Sequence, residues 1–220
     1  VLRCLVPGDK IGGIGGELME QIRWHGRGGQ GAVTAARIFG LAAAIYNEKQ
    51  NWYAQSFPSF GTERRGAPVS AFTRLSQNPI RDRSQVYEPD FIVILDDTLV
   101  SSTNVFEGLK EEGTIILNTS KFSYFIPFLP PDKKIYHLDA TQIALDILKT
   151  PLVNTAMVGA LAAVSRLVSL EAVKSAIGEI LPPKIAPKNI EIATKAFETA
   201  AKLAPQKIEV SKVEEGSLNK

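Results

Sequence analysis

Apolar residues recur at two spacings along this chain, and the change of spacing marks a change of architecture. Between Gln21 and His25, Ile22 and Trp24 alternate with polar neighbours, which predicts a short strand. From Ala32 to Tyr46 the positions Val33, Ala36, Ile38, Leu41, Ala42 and Ile45 follow helical spacing, and the abundance of alanine suits a helix lying close against a sheet. NWYAQSF (51–57) predicts a second strand, PSFGTERRGAP (58–68) a loop, and the alternating PVSAFTRL (68–75) a strand with one polar face. FIVIL (91–95), closed by Asp96 and Asp97, and TIILN (114–118), closed by Asn118, read as strands buried on both faces of a parallel sheet. A crossover helix is expected over 101–110, a further strand in KKIYHLDA (133–140) and a helix over 140–149.

Beyond Pro151 only helical spacing remains, over 154–168, 170–181 and 189–203, interrupted at Ser169 and at LPPKIAP (181–187). Ser169 is placed to cap the second of these helices, with Glu171 in its first turn. Strands alternating with helices predict an α/β fold: a doubly wound, mostly parallel sheet flanked by helices, with additional C-terminal helices. The chain divides into an N-terminal arm (1–20), whose glycine-rich start lacks a core-forming pattern, an α/β domain (21–204) and a charged C-terminal tail (205–220).

Composition narrows the chemistry. A net charge of +2 sets up no global field for nucleic acid, so no nucleic-acid partner is expected. No apolar run reaches the roughly 18 residues of a membrane span, and no signal-peptide pattern stands at the start, so a cytoplasmic protein without a membrane partner is expected. Cys4 is the only cysteine, and His25 and His137 are the only histidines. One thiol cannot hold an iron–sulfur cluster or a multi-cysteine zinc site, so any redox centre belongs to another chain.

Two stretches carry candidate binding chemistry. In HGRGGQG, Gly26, Gly28 and Gly31 satisfy the G-x-G-x-x-G pattern of a dinucleotide turn and a helix follows at once. Such a site needs an acidic residue at the end of the next strand, and here that strand ends in Gln55, Ser56 and Phe57. What remains is a set of accessible backbone amides at a helix N-terminus, which favours an anion; the alternative is a tight turn whose glycines serve packing alone. In GTERRG, Arg64 and Arg65 between glycines suit forked binding of phosphate or carboxylate, against the alternative of a solvated charge cluster. If both stretches meet above the carboxyl ends of the strands they form one anion site. Asp97 and Asn118 are expected to cap the helices that follow their strands, and no catalytic triad is present.

Four blocks in order, GRGGQGAVTAA (26–36), FGTERRGAPVSAFTR (60–74), EPDFIVILDDTLV (88–100) and NTAMVGALA (154–162), resemble the gamma subunit of 2-oxoacid:ferredoxin oxidoreductases, most closely the pyruvate enzymes. The resemblance implies an enzyme of alpha, beta, gamma and delta chains that converts a 2-oxoacid and coenzyme A to acyl-CoA, carbon dioxide and reduced ferredoxin. It implies that thiamine diphosphate, Mg2+ and [4Fe-4S] clusters sit on partner subunits, and that the gamma chain is non-redox, associated with coenzyme A and with assembly. Gly26, Arg27, Gly28, Gly29, Gln30 and Gly31 match the family's glycine turn, and Glu63, Arg64, Arg65 and Gly66 its ERRG loop, with Thr62 where the pattern has proline. These ten residues are the expected coenzyme A phosphate site; the competing expectation is a loop that only docks partner chains. An enzyme for 2-oxoisovalerate, 2-oxoglutarate or indolepyruvate is the alternative to pyruvate.

Overall fold

In the computed structural model, which describes residues 19–47, 52–59, 65–206 and 208, strands and helices alternate in the following order. β1 (Met19–Arg27) leads into α1 (Ala32–Ala44), then β2 (Tyr53–Pro58), β3 (Pro68–Ser76) and β4 (Phe91–Ile94). The short α2 (Leu99–Ser102) precedes β5 (Thr114–Asn118), and α3 (Phe122–Phe125) runs into a 3-10 turn (Ile126–Phe128) before β6 (Lys134–Leu138). Four helices close the fold: α4 (Ala140–Leu148), α5 (Asn154–Ser165), α6 (Leu170–Ile180) and α7 (Ala186–Ala200). Residues 1–18 of the expected arm and 207 and 209–220 of the expected tail lie outside the described residues.

The six strands stand in the order β2-β3-β1-β4-β5-β6. β1, β4, β5 and β6 pair in parallel, whereas β3 pairs antiparallel with both β1 and β2, so β3 alone runs against the rest. The expected mostly parallel α/β sheet is therefore present, with one reversed strand. That reversal makes β2 and β3 a hairpin, and the segment carrying the arginines connects its two strands at the end where β1 delivers the glycine turn.

Strand alternation divides the core in two. Trp24, Val93 and Ile116 face α1, α4, α5, α6 and α7, and share one apolar cluster with them. Ile92, Ile94, Ile115 and Leu117 face the other way, where, among the described residues, α2, α3, adjoining turns and Ile208 cover the sheet. Trp24 packs edge-on to Phe39 of α1, with ring centroids 5.9 Å apart, and donates its indole N–H to Thr73 Oγ1 at 3.1 Å. The Thr73 hydroxyl in turn donates to the Ala36 carbonyl at 3.1 Å, so a buried polar atom on β3 is satisfied by the helix that covers it. Burying a side chain the size of Phe39 or Trp24 stabilises the fold by about 1.5–3 kcal/mol each. α5 is buried from Asn154 to Ala162, and Gly159 lets it approach α7 so closely that a Cβ there would stand 2.1 Å from the Ala193 carbonyl oxygen.

The expected crossover helix over 101–110 is the main departure. Helix α2 ends at Ser102, and Thr103 turns extended. Ser102 and Thr103 return their hydroxyls to the carbonyls of Thr98 and Leu99, and Arg23 of β1 draws the carbonyls of Val105 and Glu107 onto its guanidinium. A helix would need those carbonyls for its own ladder; the buried arginine takes them first. Helix α7 begins three residues earlier than expected, because Pro187 is accommodated within its first turn, where its missing N–H costs nothing. Ser169 caps α6 as expected, accepting from Ala172 N at 3.1 Å, with Glu171 in the first turn.

Candidate functional site

β1 lies where the connections part: α1 carries the chain towards the β2–β3 side, and β4 carries it towards β5 and β6. The crevice between the carboxyl ends of β1 and β4 is thus the switch point at which open α/β sheets bind ligands. The glycine turn forms one lip of this crevice. Gly29 and Gly31 take φ of 96° and 81°, and Gly31 in its left-handed conformation is the N-cap of α1. With no side chain at its cap, α1 leaves its first amides without a side-chain acceptor.

The arginine segment meets this turn. Gly28 N donates to the Ala67 carbonyl at 2.8 Å and Gly66 N to the Gly28 carbonyl at 3.0 Å, and Arg27 reaches the Gly66 carbonyl with a guanidinium nitrogen at 3.2 Å. Arg65 and Gly66 are exposed beside Gly28 and Gly29, and Gly26 is buried in the sheet opposite Val69. Glu63 and Arg64 lie outside the described residues.

Asp96, just past β4, organises the floor. It accepts from Gln30 Nε2 at 2.7 Å, lies 3.3 Å from Arg27 Nε, and accepts from the backbone and hydroxyl of Thr98. Arg27 also donates to Thr98 Oγ1 at 2.7 Å, while Gln30 Oε1 accepts from Arg27 N at 2.7 Å. Burial opposes ionisation of Asp96, but the hydrogen bonds from Thr98 and Gln30, helped by the Arg27 charge, outweigh it and hold the carboxyl below its usual range.

Above this floor opens a cavity of about 680 Å³, with Gly28, Gly29 and Arg65 on one side and Asp97, Thr119 and Asp139 on the other. Asp97 accepts from Thr119 Oγ1 at 2.8 Å and so links β4 to the end of β5 rather than capping α2. Asn118 does not cap the helix that follows it either. Its Oδ1 accepts from Thr141 N at 3.2 Å in the first turn of α4, and its Nδ2 donates to the Leu95 carbonyl at 2.8 Å. Asp139 caps the same helix, accepting from Gln142 N at 2.8 Å. Thr119, Asp139 and Thr141 were not singled out from the sequence; the usable signal was their position just beyond the carboxyl ends of β5 and β6.

Behind the turn, on the face of β1 opposite Trp24, His25 bridges two side chains. Arg23 Nε donates to its Nε2 at 3.1 Å, and Ser70 Oγ stands 3.2 Å from its Nδ1. An arginine has no acceptor, so the ring proton resides on Nδ1 and points to Ser70. Burial, reinforced by the Arg23 charge, pushes the His25 pKa down to about 3. A neutral imidazole that donates to Ser70 cannot also take its proton, so this pair is not a nucleophile and its base. Among the described residues no group of three or more His, Cys, Asp and Glu side chains could hold a metal ion, and no helix is long and apolar enough to cross a membrane.

Known proteins place this geometry. The family model for pyruvate ferredoxin/flavodoxin oxidoreductase matches residues 21–203. The chain is 50% identical over 185 residues to the pyruvate synthase subunit PorC of Methanothermobacter thermautotrophicus, covering 84% of this chain and 98% of that protein. It is 48% identical over 182 residues to the pyruvate/ketoisovalerate oxidoreductases common subunit gamma of Pyrococcus abyssi, covering 82% of this chain and 96% of that one. The crystal structure of the pyruvate oxidoreductase subunit PORC of Thermotoga maritima superposes with a TM-score of 0.72 at 35% identity, covering 87% of this chain and 99% of that one.

Proposed function

Because this chain belongs to the pyruvate ferredoxin/flavodoxin oxidoreductase family, as a gamma-type subunit of such an oxidoreductase, we propose that it supplies the coenzyme A phosphate site of a complex with alpha, beta and delta chains. In this reading the complex converts pyruvate, coenzyme A and oxidised ferredoxin to acetyl-CoA, carbon dioxide and reduced ferredoxin. Thiamine diphosphate with Mg2+ supplies the decarboxylating nucleophile on partner chains, and [4Fe-4S] clusters there carry the electrons. The residues of this chain bind and orient the thiol substrate and perform no redox step.

One observation supports this reading above the others: the glycine turn and the Arg65–Gly66 segment are hydrogen-bonded into a single lip on the switch-point cavity. The exposed Arg65 stands on this lip, and the N-terminus of α1, which has no side-chain cap, follows the turn; both favour an anion. Asp96 is matched by Arg27, so its charge does not oppose a phosphate at the lip. On the other side of the cavity, the carboxylates of Asp97 and Asp139 are suited to the hydroxyl and amino groups that coenzyme A also carries.

The test is the double variant Arg64→Ala, Arg65→Ala in the assembled enzyme. The apparent KM for coenzyme A should rise about tenfold or more, with 2-oxoacid decarboxylation nearly unchanged. An unchanged KM sinks the assignment of the arginines. The second reading, a loop that only docks partner chains, draws on the same exposure of Arg65 and Gly66. It expects the double variant to fail to co-purify with its partners.

The Pyrococcus relative carries a name shared by pyruvate and ketoisovalerate oxidoreductases. On that ground selection of the 2-oxoacid is assigned to the thiamine-bearing chains. Assay of the native complex with a panel of 2-oxoacids and a viologen dye identifies its substrate.

A further inference from the structure

Another cavity, of about 580 Å³, opens near the end of α1 that is remote from the glycine turn. Helix α1 has 13 residues, so its two ends lie roughly 20 Å apart. Asn47, shortly beyond α1, stands on the wall of this cavity, and α5 and α7 end there at Arg166 and Ala201. A space of this size accommodates a small molecule.

Asn47 is 6% exposed. Its Nδ2 donates to the Leu167 carbonyl at 2.8 Å, which fixes the carboxamide, and its Oδ1 is buried with no donor among the described residues. A buried carbonyl oxygen left in this state is completed by an N–H or O–H donor. The surroundings select the kind of donor. Helix C-termini carry partial negative charge, and two of them end on this wall, so a cationic donor is favoured over a neutral one.

Arg166 supplies the opposite charge preference at the rim. It is exposed, lines the cavity and takes part in no ion pair among the described residues. As the C-cap of α5 it holds φ at 58°, with its N–H donating to the Ala162 carbonyl at 3.1 Å. Glycine serves such a turn better, so the guanidinium is what residue 166 adds beyond the turn itself. The rest of the wall is mainly apolar, with Ala163, Leu167, Leu170 and Phe197.

We infer that this cavity binds a small α-amino acid with an apolar side chain. The ammonium group donates to Asn47 Oδ1 among the helix ends, the carboxylate pairs with Arg166, and the side chain lies against Leu170 and Phe197. The site stands apart from the switch-point cavity and from the coenzyme A reading.

Equilibrium dialysis of the assembled complex against radiolabelled L-leucine tests the site. Saturable binding is expected below about 10 mM, at one molecule per copy of this chain. L-Leucinamide, which lacks the carboxylate, and isocaproate, which lacks the ammonium, should each compete about tenfold more weakly than L-leucine or worse. Asn47→Leu should weaken L-leucine binding by about tenfold or more. Arg166→Gly, which suits the left-handed backbone, should do the same and abolish the preference for L-leucine over L-leucinamide. Should Asn47→Leu not assemble, Arg166→Gly and the two analogues decide the matter. Absence of saturable binding, or binding that survives both substitutions, overturns the site. Isocaproate competing as well as L-leucine overturns it too, since Asn47 Oδ1 would then hold nothing. Coenzyme A should not displace L-leucine, and displacement would overturn a separate site.

Discussion

Gln30 donates its amide to Asp96 at 2.7 Å, and this one bond ties the end of β1 to the end of β4 across 66 residues of sequence. The same carboxylate holds Arg27, so the shape of the glycine lip depends on a residue outside it.

Replacing Asp96 by Ala leaves Gln30 and Arg27 without their shared acceptor. The local stability of the turn should fall by about 1–3 kcal/mol, the usual penalty for orphaning partly buried polar groups. Hydrogen exchange at residues 28–32 in the assembled complex measures it, and protection within twofold of wild type would show that water replaces the carboxylate at no cost.

Acid should weaken the fold through His25. Its pKa is depressed from 6.5 to about 3, so between these values the unfolded chain binds the proton and the folded chain does not. Stability is complete above pH 6.5, declines as pH falls through that window, and levels off below about 3 with respect to this group. The Asp96 carboxyl, also depressed, adds its own loss only below its ordinary value near 3.8. His25→Gln should flatten the dependence of the thermal midpoint between pH 6.5 and 4.5, and a slope equal to wild type would assign the effect elsewhere.

Arg23 replaced by Met should free the carbonyls of Val105 and Glu107, which the guanidinium now gathers. Each buried carbonyl left unpaired costs about 1–3 kcal/mol. Residues 103–110 should exchange their amides faster in the complex while those of β5 stay protected.

Gly159→Ala places a methyl group where the Ala193 carbonyl oxygen already stands, with 2.1 Å between them. Helices α5 and α7 must move apart, at a cost of about 1–3 kcal/mol from overpacking. A lowered thermal midpoint of the complex is the expected result. An unchanged midpoint would mean that the helices repack freely.

The strands were legible where burial dictated composition. FIVI and TIILN have no other use for uninterrupted apolar runs, and the alternation of Ile22 and Trp24 survives as the divide between the two faces of β1. The helix over 101–110 was misread because its competitor, Arg23, stands about 80 residues earlier, and no local pattern shows a distant guanidinium drawing carbonyls away. Asp97 and Asn118 were misread as local caps for the same reason: their partners, Thr119 and Thr141, lie one crossover further on. Of the ten expected site residues, the six of the glycine turn and the pair Arg65 and Gly66 stand together at the switch point.

The reversed strand β3 has a consequence for how this chain could be altered. Because β2 and β3 form a hairpin at one margin of the sheet, residues 59–67 span two strand ends that the sheet already holds in register. Such a segment is exchangeable as a cassette. In the coenzyme A reading proposed above, transplanting it between relatives whose complexes differ in cosubstrate affinity would carry the arginines with it and leave the paired strands in place.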